Sequence, residues 1–204
     1  MGFGATVSRQ LGDPSGRFGR LLVRLLNWVN APVNEAALDA LDLTPDDVLL
    51  DLGFGGGALL REALIDHPTL QALGLDRSPD AVAVARRRLR RFVDTGRLAL
   101  LEGDAAAMPF AEGACSSLAT VNTLYFWPEP AQVLAECHRV LTPGGRLALA
   151  YTDAERLDRM EGFRRYNPEA VGVLLEAAGF THVTTTRFDQ AGGFLVTRAQ
   201  REEA

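Results

Sequence analysis

Three carboxylates and a run of glycines carry the chemistry for which this sequence can be read. Asp51 closes the apolar run Val48-Leu49-Leu50, and Gly53, Gly55, Gly56 and Gly57 follow it closely. Bare glycines between a strand and a helix let a ligand approach the backbone. The helix start at Ala58 then offers unpaired N–H groups to something polar or anionic. Asp76 stands nineteen residues beyond Gly57, where the second strand of a βαβ unit ends. A carboxylate there can accept from both hydroxyls of a ribose, at roughly 1.5–3 kcal/mol per charge-assisted bond. Asp104 follows a third apolar run, which sets it beside Asp76 in a doubly wound sheet. The glycines alone do not identify the ligand. Gly53, Gly55 and Ala58 also satisfy the dinucleotide fingerprint G-x-G-x-x-G/A, which leaves a nicotinamide-dependent oxidoreductase open.

Elements to hold these residues are legible in order. Stretches at 48–52, 71–75, 98–101 and 116–121 read as strands, with a fifth ending near Tyr151. Helical patterns lie between them: 33–41, a stretch from Ala58, 79–94 and 130–140. Ser78 and Pro79 supply an N-cap and a first helical residue. Asn167-Pro168 opens a further helix that Gly179 stops. Two β-rich runs, 182–188 and 193–197, close the chain as a hairpin. Before all of this, residues 1–16 read as a loose arm. Residues 17–30 form an amphipathic helical stripe that includes Trp28, so 1–32 is expected to be an arm and helical lid on a domain spanning 33–204.

Composition narrows the function classes. The chain has 204 residues, 47% of them hydrophobic and 23% charged, which suits one globular domain with a full core. A net charge of −5 provides no basic field for a phosphate backbone, so nucleic acid is not expected as the main partner. All 21 basic residues are arginine, which excludes Schiff-base, P-loop and kinase-lysine chemistry. Two cysteines suggest reduced thiols and a cytoplasmic setting. Three scattered histidines match no metal spacing, so no metal is expected. No stretch approaches the ~20 apolar residues of a membrane span.

The string Asp51-x-Gly53-x-Gly55-x-Gly57 resembles motif I of the class I S-adenosylmethionine (SAM)-dependent methyltransferases. Asp76, the Asp104-Ala105-x-x-Met108-Pro109-Phe110 stretch and Leu141-x-Pro143-Gly144-Gly145 extend the likeness across residues 33–200, most closely to the ubiquinone and menaquinone methyltransferase group. The resemblance implies an α/β fold: a seven-stranded, mostly parallel sheet of order 3-2-1-4-5-7-6, strand 7 antiparallel, with helices on both faces. A standard dinucleotide sheet lacks that reversed strand, which argues against the oxidoreductase. The implied cofactor is SAM, held by Asp51, Gly53, Phe54, Gly55, Gly57, Asp76, Arg77, Asp104, Ala105 and Asn122. Asp104 would accept from the adenine amino group, and the Ala105 N–H would meet a ring nitrogen.

The same resemblance puts the acceptor opposite the glycine loop, at the end of the fourth strand. Tyr125, Phe126 and Trp127 lie there, and an aromatic face near a sulfonium is favourable by about 0.5–2 kcal/mol. With Trp28 and Tyr166 they form the expected substrate wall for a small, apolar or aromatic acceptor. Tyr125 is the best-placed candidate base, ahead of His138, Tyr166 and His182. One departure stands out: Ser117 occupies a position where the family commonly has an acid. That keeps open a SAM-binding protein without catalysis. The sequence leaves the oligomeric state, monomer or homodimer, undecided.

Overall fold

A computed structural model describes residues 30–152 and 164–203. The order of elements is α1 (Ala31–Leu41), β1 (Val48–Leu52), α2 (Ala58–Asp66), β2 (Gln71–Asp76), α3 (Pro79–Arg88), α4 (Arg90–Asp94), β3 (Leu98–Glu102), β4 (Cys115–Val121), α5 (Pro130–Val140), β5 (Leu141–Thr152), α6 (Pro168–Ala177), β6 (Phe180–Phe188) and β7 (Phe194–Arg201). The seven strands form one sheet of order β3-β2-β1-β4-β5-β7-β6. β7 runs antiparallel to both β5 and β6, and the remaining pairs are parallel. This is the architecture the resemblance implied.

Side-chain size sorts the two faces. Successive strand residues point to opposite sides. On one side Leu50, Leu118, Leu147, Leu149 and Tyr151 pack with Val133, Leu134 and Cys137 of α5 and Val171 and Leu175 of α6. On the other, Ala119, Ala148 and Ala150 meet Val33, Ala36 and Ala37 of α1. Small residues on both partners let α1 lie close to the middle of the sheet. Burial on both faces explains why β1 reads as an apolar run broken only by Asp51, and why β4 keeps small or apolar residues at every position.

Three local expectations change. The helix over 79–94 is two helices, parted at Leu89 (φ −105°, ψ 16°). The Leu89 side chain is fully buried and lies where a Cβ on Gly57 would meet it at 2.7 Å, so the break seats it beneath the glycine loop. The Pro143-Gly144-Gly145 reversal lies inside β5 rather than before it. Between Cys115↔Leu141 and Ser117↔Arg146, β4 advances two residues while β5 advances five, and the surplus is expelled as a bulge with Gly144 at φ +73°. The first hairpin strand starts two residues earlier than expected, at Phe180, and the second runs on to Arg201.

Ser117 is explained by the fold. It is fully buried at the start of the β1–β4 pairing, the sheet end away from the glycine loop. Asp47 stands there, accepting from Ser116 at 2.5 Å and from Arg146 at 2.6 Å, with Ser117 Oγ 3.4 Å away. Burial opposes ionisation of Asp47, but the bonds from Ser116, Thr44 and Arg146 bring its carboxyl down to about 2. The polar demand of this end is met by Asp47.

Candidate active site

The expected crevice would lie at the carboxyl ends of the parallel strands, around the turn from β1 to α2. Gly53 N donates to Leu75 O at 2.7 Å, so the β1–β2 ladder continues past the last strand residue. Gly53, Gly55 and Gly57 then take φ of +77°, +52° and +69°, the left-handed region that side chains other than glycine's resist. Each glycine is needed for a different reason. A Cβ on Gly53 would sit 2.4 Å from Thr123 Cγ2, and one on Gly57 would strike Leu89, but one on Gly55 would meet nothing within 4 Å. Among the described residues, Gly55 therefore faces open space. Gly53→Ala and Gly57→Ala are expected to lower Tm by several degrees. Gly55→Ala is expected to cost only the ~1–2 kcal/mol of left-handed backbone while abolishing ligand binding, as thermal melts beside binding titrations will show.

Asp76 holds the loop in shape. Its Oδ2 accepts from Gly55 N at 2.8 Å and its Oδ1 from Ser78 N at 2.9 Å. One carboxylate thus links the glycine loop to the start of α3. Each carboxylate oxygen has capacity beyond one bond, so these contacts are compatible with further acceptance from ligand hydroxyls.

Asp51 is the outlier. It is 3% exposed, lies between Gly74 and Ala119 in the sheet register, and its carboxylate has no hydrogen-bond partner among the described residues. Burial, and then the negative charge of Asp76, push its carboxyl up to about 8. A buried acid without a partner is costly when charged. Among the described residues, no cation or donor answers this group.

The remaining expected residues fall in three groups. Asp104 is exposed and turns its own loop, accepting from Ala106 N at 3.0 Å, while the Ala105 N–H has no acceptor among the described residues. Arg77 is exposed beside Asp76. Phe54 is 5% exposed and packs with Leu60 and Leu100, so its ring belongs to the core and its carbonyl accepts from Gly57 N.

Asn122, at φ +56°, is the hub of a polar cluster at the ends of β4 and β5. Its Oδ1 accepts from the Tyr125 hydroxyl and from Thr152 Oγ1, both at 3.1 Å, and its Nδ2 donates to Asn30 Oδ1 at 3.1 Å. The Tyr125 oxygen in turn accepts from Thr152 N. Tyr125, Trp127 and Tyr166 are all buried in the α5–α6 core, and Phe126 packs edge-on against Tyr125. Trp28, the arm and the lid lie outside the described residues. His138 ends α5 beside Gly179, and His182 lies near the Thr181↔Gln200 pairing. Both are at the sheet end opposite the crevice.

Sequence reasoning missed four supports of this site: Thr123 against Gly53, Arg88 donating to Gly56 O at 3.3 Å, Thr152, and Asn30. None carries a motif, and each acts through a fold contact.

A family described as "Methyltransferase domain" matches residues 50–149, which hold the loop, Asp76, Asp104 and β4. A ubiquinone/menaquinone biosynthesis C-methyltransferase of Methylobacterium nodulans is 30% identical over 169 residues, covering 67% of this chain and 66% of its own. The chain belongs to the class I SAM-dependent methyltransferases. A demethylmenaquinone methyltransferase of Thermus thermophilus is 33% identical over 63% of this chain and 58% of its own. Across the first curated relatives, the chain spans from 34% to 82% of their length. The fold matches the phosphoethanolamine N-methyltransferase 2 of Haemonchus contortus in complex with SAM, at TM-score 0.75 and 16% identity over 89% of this chain and 57% of that one. SAM is the family's cofactor. The site fits it in two respects: among the described residues the side of Gly55 is open against the backbone, and Asp51 is a buried carboxyl with no hydrogen-bond partner, which a cationic ligand would favour in its ionised form.

Proposed function

We propose that this methyltransferase transfers the SAM methyl group to a small, apolar or aromatic acceptor. The observation that carries the reading is Asp51: a buried carboxyl with no hydrogen-bond partner among the described residues, next to a loop shaped by Gly55 and Asp76. In this reading Asp51 faces the ammonium of the cofactor's methionine end. Gly53, Gly55 and Gly57 give the backbone approach, Asp76 accepts from the ribose hydroxyls, and Asp104 with Ala105 meets the adenine. Arg77 flanks the ribose side, and Asn122 closes the crevice toward the acceptor.

When bound, SAM supplies a methyl carbon already activated by a sulfonium. The chain's work is alignment and exclusion of water, and holding two reactants in line lowers a barrier by about 7–11 kcal/mol. The acceptor wall is read as Phe126 and the edge of Tyr125, with Trp28; Trp127 and Tyr166, buried in the α5–α6 core, back it from behind. Quinone-pathway relatives support an aromatic acceptor, since the curated names of two of them are ubiquinone/menaquinone and demethylmenaquinone methyltransferases. Among the described residues no helix is long and apolar enough to cross a membrane.

The Tyr125 hydroxyl is engaged on both sides, so a positioning role suits it better than proton abstraction. Tyr125→Phe is expected to lower kcat less than tenfold and Tm by a few degrees. Steady-state rates decide this, because loss of a general base costs ~10²–10⁴-fold. The function itself is tested with methyl-labelled SAM and a panel of small phenols and quinols. Label on a small aromatic product is expected. Label on polynucleotide or protein alone, or tight binding with no turnover across the panel, would overturn the reading.

A further inference from the structure

The loop from Gly103 to Phe110 has few bonds of its own. Gly103 N donates to Asp76 O at 3.0 Å, and Asp104 accepts from Ala106 N and Ala107 N. Beyond Asp104 the backbone is held from outside. Gln132, Glu136 and Arg139 are spaced by four and three residues along α5, so they form one stripe on the helix. Glu136 Oε2 accepts from Met108 N at 2.8 Å. Arg139 donates to Phe110 O at 2.8 Å and to Met108 O at 3.1 Å, and Gln132 Nε2 donates to Ala106 O at 3.2 Å. Glu136 and Arg139 are themselves paired through two bonds of 2.7 Å. That pairing keeps the Glu136 carboxyl below its usual range, so it stays ionised to accept from Met108. Two polar side chains locked together hold a loop more firmly than either alone, because each fixes the rotamer of the other. The buried Met108 side chain anchors the same loop in the core.

We infer that Gln132, Glu136 and Arg139 are positioning residues that set the loop carrying Asp104 and Ala105, and through it the discrimination of adenine from other bases in the cofactor. The inference rests on the reading that this loop meets the adenine. None of the three side chains needs to touch the cofactor. Their effect passes through the backbone of 105–110, which fixes where the Asp104 acceptor and the Ala105 donor stand. Adenine offers an amino donor and a ring-nitrogen acceptor to that pair. Hypoxanthine, with a carbonyl in place of the amino group, offers an acceptor and a ring N–H there, so it matches neither.

The test compares S-adenosylhomocysteine with S-inosylhomocysteine, by calorimetry on the full chain, for the wild type, Glu136→Gln, Arg139→Lys and Gln132→Ala. The wild type is expected to prefer the adenine compound by tenfold or more. Glu136→Gln is expected to weaken the adenine compound five- to twentyfold and the hypoxanthine compound less than twofold, so the preference collapses. KM for SAM should rise to match, with kcat within twofold. Arg139→Lys, which keeps the charge, should lie between. Gln132 is exposed, so its alanine variant folds and should show a two- to threefold loss of preference even if Glu136→Gln is too unstable to measure. Equal weakening of both compounds in every variant, or unchanged preference, overturns the inference. Failure of the wild type to bind S-adenosylhomocysteine at all would instead overturn the cofactor reading beneath it.

Discussion

Asp51→Asn is expected to stabilise the ligand-free protein and, at the same time, to weaken SAM binding about 10- to 100-fold. The opposite signs follow from one fact. The Asp51 carboxyl is buried without a partner among the described residues and is pushed up to about 8. In the unfolded chain the group ionises near pH 4. The folded-state value is raised, so the stability this group contributes is complete below about pH 4 and is lost as pH rises toward 8. The loss is at most roughly 1.4 kcal/mol per pH unit in that window. Asparagine has no such dependence. The Tm of the variant should therefore exceed that of the wild type by a margin that grows from pH 4 to pH 8 and levels off above. In the complex the same carboxylate gains a cation, and a hydrogen bond to a charged group is worth roughly 1.5–3 kcal/mol, which sets the expected loss of affinity. Melts across pH and titrations with SAM check both halves. A variant less stable than the wild type at pH 7, or one that binds SAM equally well, would count against the role assigned to Asp51.

Asp76→Ala is expected to lower both quantities. This side chain accepts from Gly55 N and Ser78 N, so its removal leaves two backbone donors without their acceptor and frees the loop. Two such bonds at ~1.5–3 kcal/mol each, together with lost acceptance from ribose hydroxyls, should weaken SAM by about 10²- to 10³-fold and cost several degrees in Tm. Asp76→Asn should be intermediate. One carboxamide oxygen still accepts, but its NH₂ faces an N–H donor. Methionine-end fragments, which lack the ribose, should lose less than SAM does. If Asp76→Ala melted like the wild type and bound SAM normally, the loop would owe its shape to the glycines alone.

The fold was legible because its signals are redundant. Strands buried on both faces read as apolar runs, and acids and glycines mark their ends. The order of the strands followed from the methyltransferase resemblance, with the terminal hairpin giving the reversed strand. The break at Leu89 was not legible, because the residues around it keep a helical pattern and Gly57, under which Leu89 packs, lies in another element. Ser117 looked like a functional departure because the sequence does not show that Asp47 and Arg146 serve that end of the sheet. The aromatic residues after β4 were ambiguous for a physical reason: a ring in a core and a ring in a substrate wall have the same composition. The fold places Trp127 and Tyr166 in the α5–α6 core. The polar stripe of α5 was hidden because Gln132, Glu136 and Arg139 look like a solvated helix face until the loop they grip is seen.

In the function proposed above, the site takes SAM by presenting a buried, uncharged Asp51 that ionises against the ligand's cation. Calorimetry of SAM binding to the full chain at pH 7, repeated in buffers of different ionisation enthalpy, counts the protons exchanged. Saturable binding is expected, with close to one proton released per SAM bound, falling toward zero above pH 9 and absent in Asp51→Asn. No binding, or binding with no proton released and no dependence on Asp51, would contradict it.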